Sequence, residues 1–116
     1  MEKSIQGIVE IGKKPIVERR ATARGILHLS MQTGIEIQGG SIKKGDVIEA
    51  STIAAIQAVK DTPRIIPHCH PIPLEGCKVD WSWQEYANGW GLVCEVHVSA
   101  HYKTGIEMEA LTGVCA

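Results

Sequence analysis

Hydrophobic positions along the chain fall into segments of distinct period. In "DVIEASTIAAIQAVKDTP", Ile48, Thr52, Ala55 and Val59 recur at helical spacing, and Ile53 and Ile56 widen the stripe. Asp46 can cap this helix by accepting from its exposed amides. Pro63 cannot continue it and biases Thr62 away from the helical region. Lys60 then stands in the last turn, where a cation complements the helix dipole. Residues 77–103 read as a long hairpin, with Cys77, Val79, Trp81 and Trp83 on one face and Leu92, Cys94, Val96, Val98 and Ala100 forming the inner face of the return strand. Asn88-Gly89 is predicted to supply the positive backbone angles of the turn. His97 and His101 fall on the opposite side, where exposed polar alternation outweighs metal binding.

The other segments are less regular. "GILHLSM" predicts a strand with Ile26, His28 and Ser30 on one face and Leu27, Leu29 and Met31 on the other. "QTGIEIQGGSIKKGD" carries strand-like alternation among glycines that resist a regular element, so its structure stays open. Residues 1–15 read as a loose polar arm with one short extended piece at "GIVEI". "VERRATARG" reads as a solvated charged turn, with a functional basic cluster as the alternative. Thr104 and Glu107 have the capping-box spacing, which predicts a helix from Thr104 with Ile106, Ala110 and Val114 on one face.

Composition narrows the classes. A chain of 116 residues supports one core, and the absence of phenylalanine leaves that core to aliphatic residues and three tryptophans. Twelve basic residues against thirteen acidic ones argue against nucleic-acid or membrane binding through bulk charge. With no signal-like or membrane-length apolar run, the expected location is the cytoplasm. Cys69, Cys77, Cys94 and Cys115 then read as reduced thiols, none of them in a C-x-x-C pair.

The chemistry-bearing stretch is "IIPHCHPIPLEG", residues 65–76. Three prolines make it a stiff irregular connection. His68-Cys69-His70 could be a metal site, a nucleophile with its base, or a packed bend. The metal reading lacks a third and fourth ligand at defined spacing.

Three blocks, "KKGDV" at 43–47, "IQAVKDTPRIIPHCHPIPL" at 56–74 and "KTGIEMEALT" at 103–112, closely resemble the cyclic pyranopterin monophosphate synthase family of molybdenum cofactor biosynthesis. The resemblance extends from about Gly7 to the last residue. It implies an α+β, ferredoxin-like fold with an antiparallel sheet packed against helices on one face. It also implies a hexamer built as a trimer of dimers, with the active site at a subunit interface. The implied substrate is 3',8-cyclo-7,8-dihydro-GTP, converted to cyclic pyranopterin monophosphate with release of pyrophosphate, without a metal or other cofactor. By position the resemblance marks Arg19, Lys44 and Lys60 as basic site residues, His70 as the site histidine, and Glu107 and Glu109 as paired glutamates. Lys103 joins them by proximity to the motif. His68, Cys69 and Met108 are expected to line the substrate, and a cysteine nucleophile is not needed. With Glu107 engaged in its own cap, Glu109 would be the freer carboxylate.

The resemblance further implies that the family's domain continues past Ala116 with a catalytic aspartate and, three residues on, a lysine. Two other functions compete: a non-catalytic paralogue that binds a pterin or nucleotide, and a small His/Cys metalloprotein.

Overall fold

The computed structural model describes residues 7–116, so the first part of the expected arm, residues 1–6, lies outside the described residues. The alternation read from the hairpin builds β2 (Gly76–Tyr86) and β3 (Gly89–Tyr102), paired antiparallel with Cys77 opposite Val98, Val79 opposite Val96, Trp81 opposite Cys94 and Trp83 opposite Leu92. A third strand, β1 (Val17–Ser30), pairs along the other edge of β3, giving the order β1-β3-β2.

β1 is twice the length expected. The segment "VERRATARG" is its first half, not a charged turn. Arg20, Thr22 and Arg24 point to solvent, while Ala21 and Ala23 turn inward against Val98 and Val96. Inward alanines carry little strand signal, which hid the alternation. Met31, expected in the strand, instead begins α1 (Met31–Gly39), capped by Ser30 and closed by Gly40 at φ 70°. The glycines that obscured this helix have structural jobs. A Cβ at the buried Gly34 would run into the Trp90 ring.

The hairpin turn is displaced by one residue. Tyr86 pairs with Gly89, leaving Ala87-Asn88 as the loop, and among the described residues only Gly7, Gly40 and Gly45 have positive φ. Gly89 is required for another reason: any side chain there would strike the Leu29 carbonyl of β1.

α2 (Val47–Lys60) follows its predicted bounds, with Asp46 Oδ1 accepting from the Glu49 amide at 3.1 Å. Pro63 does end it, yet Thr62 is not extended. It opens a short helix, α3 (Thr62–Ile65), in which Pro63 takes an early position that needs no amide. Residues 66–75 then run as an irregular connection into β2, as their prolines dictate. α4 (Glu107–Cys115) begins three residues after Thr104, with Ile106 at its N-cap and no side-chain cap. The capping box is therefore not formed.

The core lies between one sheet face and α2 with α4. Val96 and Ala100 are 0% exposed, Val59, Ile106 and Ala110 are 1% exposed, and Ala21, Val79 and Trp81 pack at the margin. Trp81 Nε1 donates to Thr52 Oγ1 at 2.8 Å, tying β2 to α2. The arrangement is α+β and consistent with a ferredoxin-like fold. No helix of the described residues is long and apolar enough to cross a membrane. The arm is less loose than expected: Ile11 is buried, and the Lys14 amide donates to its carbonyl at 3.0 Å. No strand forms at "GIVEI" among the described residues.

The outer face of the sheet is polar. His97 lies 2.9 Å from Thr22 Oγ1 and 3.1 Å from Asp80 Oδ2, and His101 Nδ1 lies 2.6 Å from Glu75 Oε1.

Two predictions follow from this packing. A Cβ on Gly113 of α4 would lie 2.7 Å from Val59 Cγ2 and 3.2 Å from Val96 Cγ1, both immobile core groups. Gly113→Ala should therefore destabilise the chain by about 1–3 kcal/mol in urea unfolding, despite alanine's better helix propensity. The hydrogen bond and charge of Glu75 hold the His101 proton and push its pKa above the ordinary 6.5. The resulting stability is complete below that ordinary value and disappears as pH climbs through the raised one. Wild type should therefore melt above Glu75→Gln in mildly acidic buffer, and the gap should close in alkaline buffer.

Candidate active site

Chain topology gathers several polar segments at one end of the sheet. α2 delivers Lys60 there, α3 and the proline-rich connection bring His68 to His70, β3 exits through Tyr102 and Lys103, and α4 starts at Glu107. Arg19 belongs to the same end, since it pairs with Ala100 near the finish of β3. Electrostatics report the proximity. The charges of Glu109 and Glu107 both act on Cys69, and that of Lys60 acts on Cys77.

Glu109 is 3% exposed, at the foot of α4 among core residues. Burial, and then the neighbouring Glu107 charge, raise its pKa, while a hydrogen bond from its own amide partly offsets them. Glu107 is exposed and does not cap its helix through a side-chain hydrogen bond. The expected roles are thus exchanged: Glu107 is the freer carboxylate and Glu109 the buried one. The two fall on opposite sides of the helix, as a two-residue separation requires. Met108 between them is 37% exposed.

Cys69 is half-buried, and its thiol pKa is raised by burial first and then by Glu109 and Glu107. A thiol held protonated is a poor nucleophile. His70 Nε2 lies 2.7 Å from the Val9 carbonyl oxygen. Lys103 Nζ donates to the Gly12 carbonyl at 3.4 Å. Between these contacts lies a cleft of about 430 Å³, bounded by residues 8–12 on one side and His70, Tyr102 and Lys103 on the other. His68 is exposed. Arg19 Nε is buried without a hydrogen-bond partner among the described residues.

Lys44 stands apart. It precedes the N-cap Asp46, whereas Lys60 is the last residue of α2. Fourteen helical residues at 1.5 Å each separate the two ends by about 21 Å. The Lys44 loop instead borders a cleft of about 510 Å³ lined by Ile42, Gly45, Asp46, Ile48 and Trp83. One chain therefore brings Arg19, Lys60, Cys69, His70, Lys103, Glu107 and Glu109 to one end and leaves Lys44 at the other.

Among the described residues no group of three or more His, Cys, Asp or Glu side chains is arranged to hold a metal. His97 and His101 are each engaged with a carboxylate instead. Sequence reasoning missed Tyr102 and the carbonyls of Val9 and Gly12. Backbone groups leave no signature in residue type, although Tyr102 adjoins the predicted Lys103.

Comparison with known proteins identifies the family. A model described as the MoaC family matches residues 8–116. The chain is 48% identical over 114 residues to a "probable cyclic pyranopterin monophosphate synthase" of Thermococcus kodakarensis, covering 97% of this chain and 69% of that protein. A Pyrococcus abyssi protein of the same name is 47% identical over 114 residues, covering 97% and 68% of the two chains. The cyclic pyranopterin monophosphate synthase of Lysinibacillus sphaericus is 43% identical over 107 residues, covering 92% and 67%. With a family match spanning residues 8–116 of an α+β domain, and relatives 43–48% identical over most of its length, this chain belongs to the MoaC family.

Proposed function

We propose that this chain acts as a cyclic pyranopterin monophosphate synthase in molybdenum cofactor biosynthesis. In that reaction 3',8-cyclo-7,8-dihydro-GTP is rearranged to cyclic pyranopterin monophosphate and pyrophosphate leaves. The observation that carries this reading is the juxtaposition of a buried Glu109, its pKa raised by that burial, with the Cys69-His70 bend and with cations at the same end of the sheet.

Each group has a task suited to its surroundings. Arg19, half-buried at this end of β1, offers its guanidinium to a phosphate oxygen. Lys60 and Lys103 supply further positive charge where the pyrophosphate departs. Glu109, its pKa lifted by burial, can hold a proton closer to neutrality than an ordinary carboxyl and so donate or accept one during the rearrangement. His70 exchanges a second proton. Cys69 and Met108 line the substrate, and exposed Glu107 and His68 stand at its margin.

Lys44 completes the site from a neighbouring copy. Its separation of about 21 Å from Lys60 along α2 is too great for one substrate to touch both within a chain. This supports a homo-oligomer with composite sites, for which the hexameric trimer of dimers is the proposed form. The protein works in the cytoplasm on a soluble small molecule.

Incubating the protein with the cyclised dihydro-GTP and following pyrophosphate and pyranopterin tests the reaction directly. Both should appear together. Nucleotide binding without pyrophosphate release, on a polypeptide that includes the downstream aspartate and lysine, would favour the non-catalytic alternative. Glu109→Gln should lower kcat by roughly 10²–10⁴-fold. The same substitution should raise the melting temperature at neutral pH, because it removes the penalty of a buried charge. That advantage should shrink as pH falls toward 4.5, where the wild-type carboxyl is itself neutral. Lys44→Ala and His70→Ala should each be inactive alone, and mixing them under conditions that exchange subunits should restore part of the activity.

A further inference from the structure

The segment before β1 lies folded across the candidate site. Ile11 is 8% exposed and anchors it to the body of the protein. The Gly12 amide donates to Glu10 Oε1 at 2.7 Å, and the Lys14 amide donates to the Ile11 carbonyl at 3.0 Å, so residues 10–14 hold a defined turn. Both of its reaching contacts fall on side chains of the site: the Val9 carbonyl meets His70, and the Gly12 carbonyl meets Lys103.

A carbonyl oxygen accepts and never donates. The 2.7 Å contact between Val9 O and His70 Nε2 therefore requires a proton on Nε2. In the neutral imidazole this leaves Nδ1 as the nitrogen with a lone pair. We propose that residues 8–12 form a positioning strap, whose Val9 carbonyl orients His70 and fixes its Nε2–H tautomer so that Nδ1 exchanges protons with the substrate. The proposal rests on His70 belonging to the synthase site.

The proton balance is simple. Nδ1 takes a proton from the substrate to give an imidazolium, whose Nε2–H still donates to Val9, and returns that proton in a later step. The strap does no chemistry itself. It holds the ring against rotation, and its second contact draws Lys103 to the same wall of the cleft. A partner that orients a functional imidazole is typically worth about 10–100-fold in activity when removed.

The decisive measurement uses the intact chain. Histidine ring nitrogens labelled with ¹⁵N and observed at a pH where His70 is neutral should show Nε2 fully protonated and Nδ1 unprotonated. The Nε2–H proton should be directly visible through its protection from exchange. The signal is assigned by its loss in His70→Ala. A protonated Nδ1, or the averaged mixture of a free imidazole, would overturn the proposal. Ile11→Asp, which unseats the strap's anchor, should abolish the protected Nε2–H signal and lower kcat by about 10–100-fold. Ile11→Val should retain both. An Ile11→Asp protein with unchanged ring signal and unchanged kcat would also overturn it. The two readings fail separately. Pyrophosphate release from a chain whose His70 carries its proton on Nδ1 sinks this inference alone. A fixed Nε2–H ring in a protein that never releases pyrophosphate sinks the reaction, and with it the catalytic role given to Nδ1.

Discussion

The candidate site depends on how closely α4 lies against the sheet and α2. That approach is possible because the contact is made by small residues. Ala110 and Ala55 are 1% and 2% exposed, and Gly113 leaves no room for a side chain beside Val59 and Val96. A chain without phenylalanine has few other ways to build a dense interior. Close packing also sets the depth of Glu109. One turn before Gly113, it is carried below the surface together with Ala110. Burying a carboxyl is unfavourable unless it is paired or neutral. The aliphatic contacts around it must supply that cost, and the lifted pKa is the visible result. Packing and acid–base character at this position are thus one property of α4.

The elements legible in the sequence were those whose inward residues are large or whose ends are marked. The hairpin's inner face appears as valine, leucine and tryptophan at the right period; α2 was legible from its Asp46 cap and Pro63 stop, although its buried residues are Ala55, Ala58 and Val59 and Ile53, read into its stripe, is exposed. Where small residues do the packing, periodicity fails as a guide. Ala21 and Ala23 face inward from β1, and Gly34 is the contact residue of α1, so the first half of β1 read as a turn and α1 stayed open. Local rules failed where tertiary contacts outweighed them. Asn88-Gly89 has a turn signature, but Gly89 is required inside the strand by the Leu29 carbonyl. Thr104 and Glu107 have the capping spacing, but α4 starts beyond them, where Ile106 is pinned in the core at 1% exposure.

The candidate site shows the same division. Side chains named from motif resemblance do share one end of the sheet, with Lys44 as the exception, because strand and helix termini coincide there. Residue identity could not assign states to Glu107 and Glu109. Their spacing required opposite faces, but which face is buried depends on where the sheet lies. Nor could it find the Val9 and Gly12 carbonyls, which act through atoms that every residue possesses.

The surroundings of Cys69 have a chemical corollary. Its sulfur lies in partly buried space, within the field of two glutamates and beside a histidine. Burial first, and then those negative charges, oppose loss of the proton, so the S–H persists at neutral pH and can serve as a weak donor toward bound ligand. A softer, ionised sulfur at this spot would invite covalent capture of any electrophilic species formed during a ring rearrangement, and would be prone to oxidation. Burial, reinforced by the acidic residues at the start of α4, thereby acts as a guard on the thiol and keeps this cysteine chemically inert.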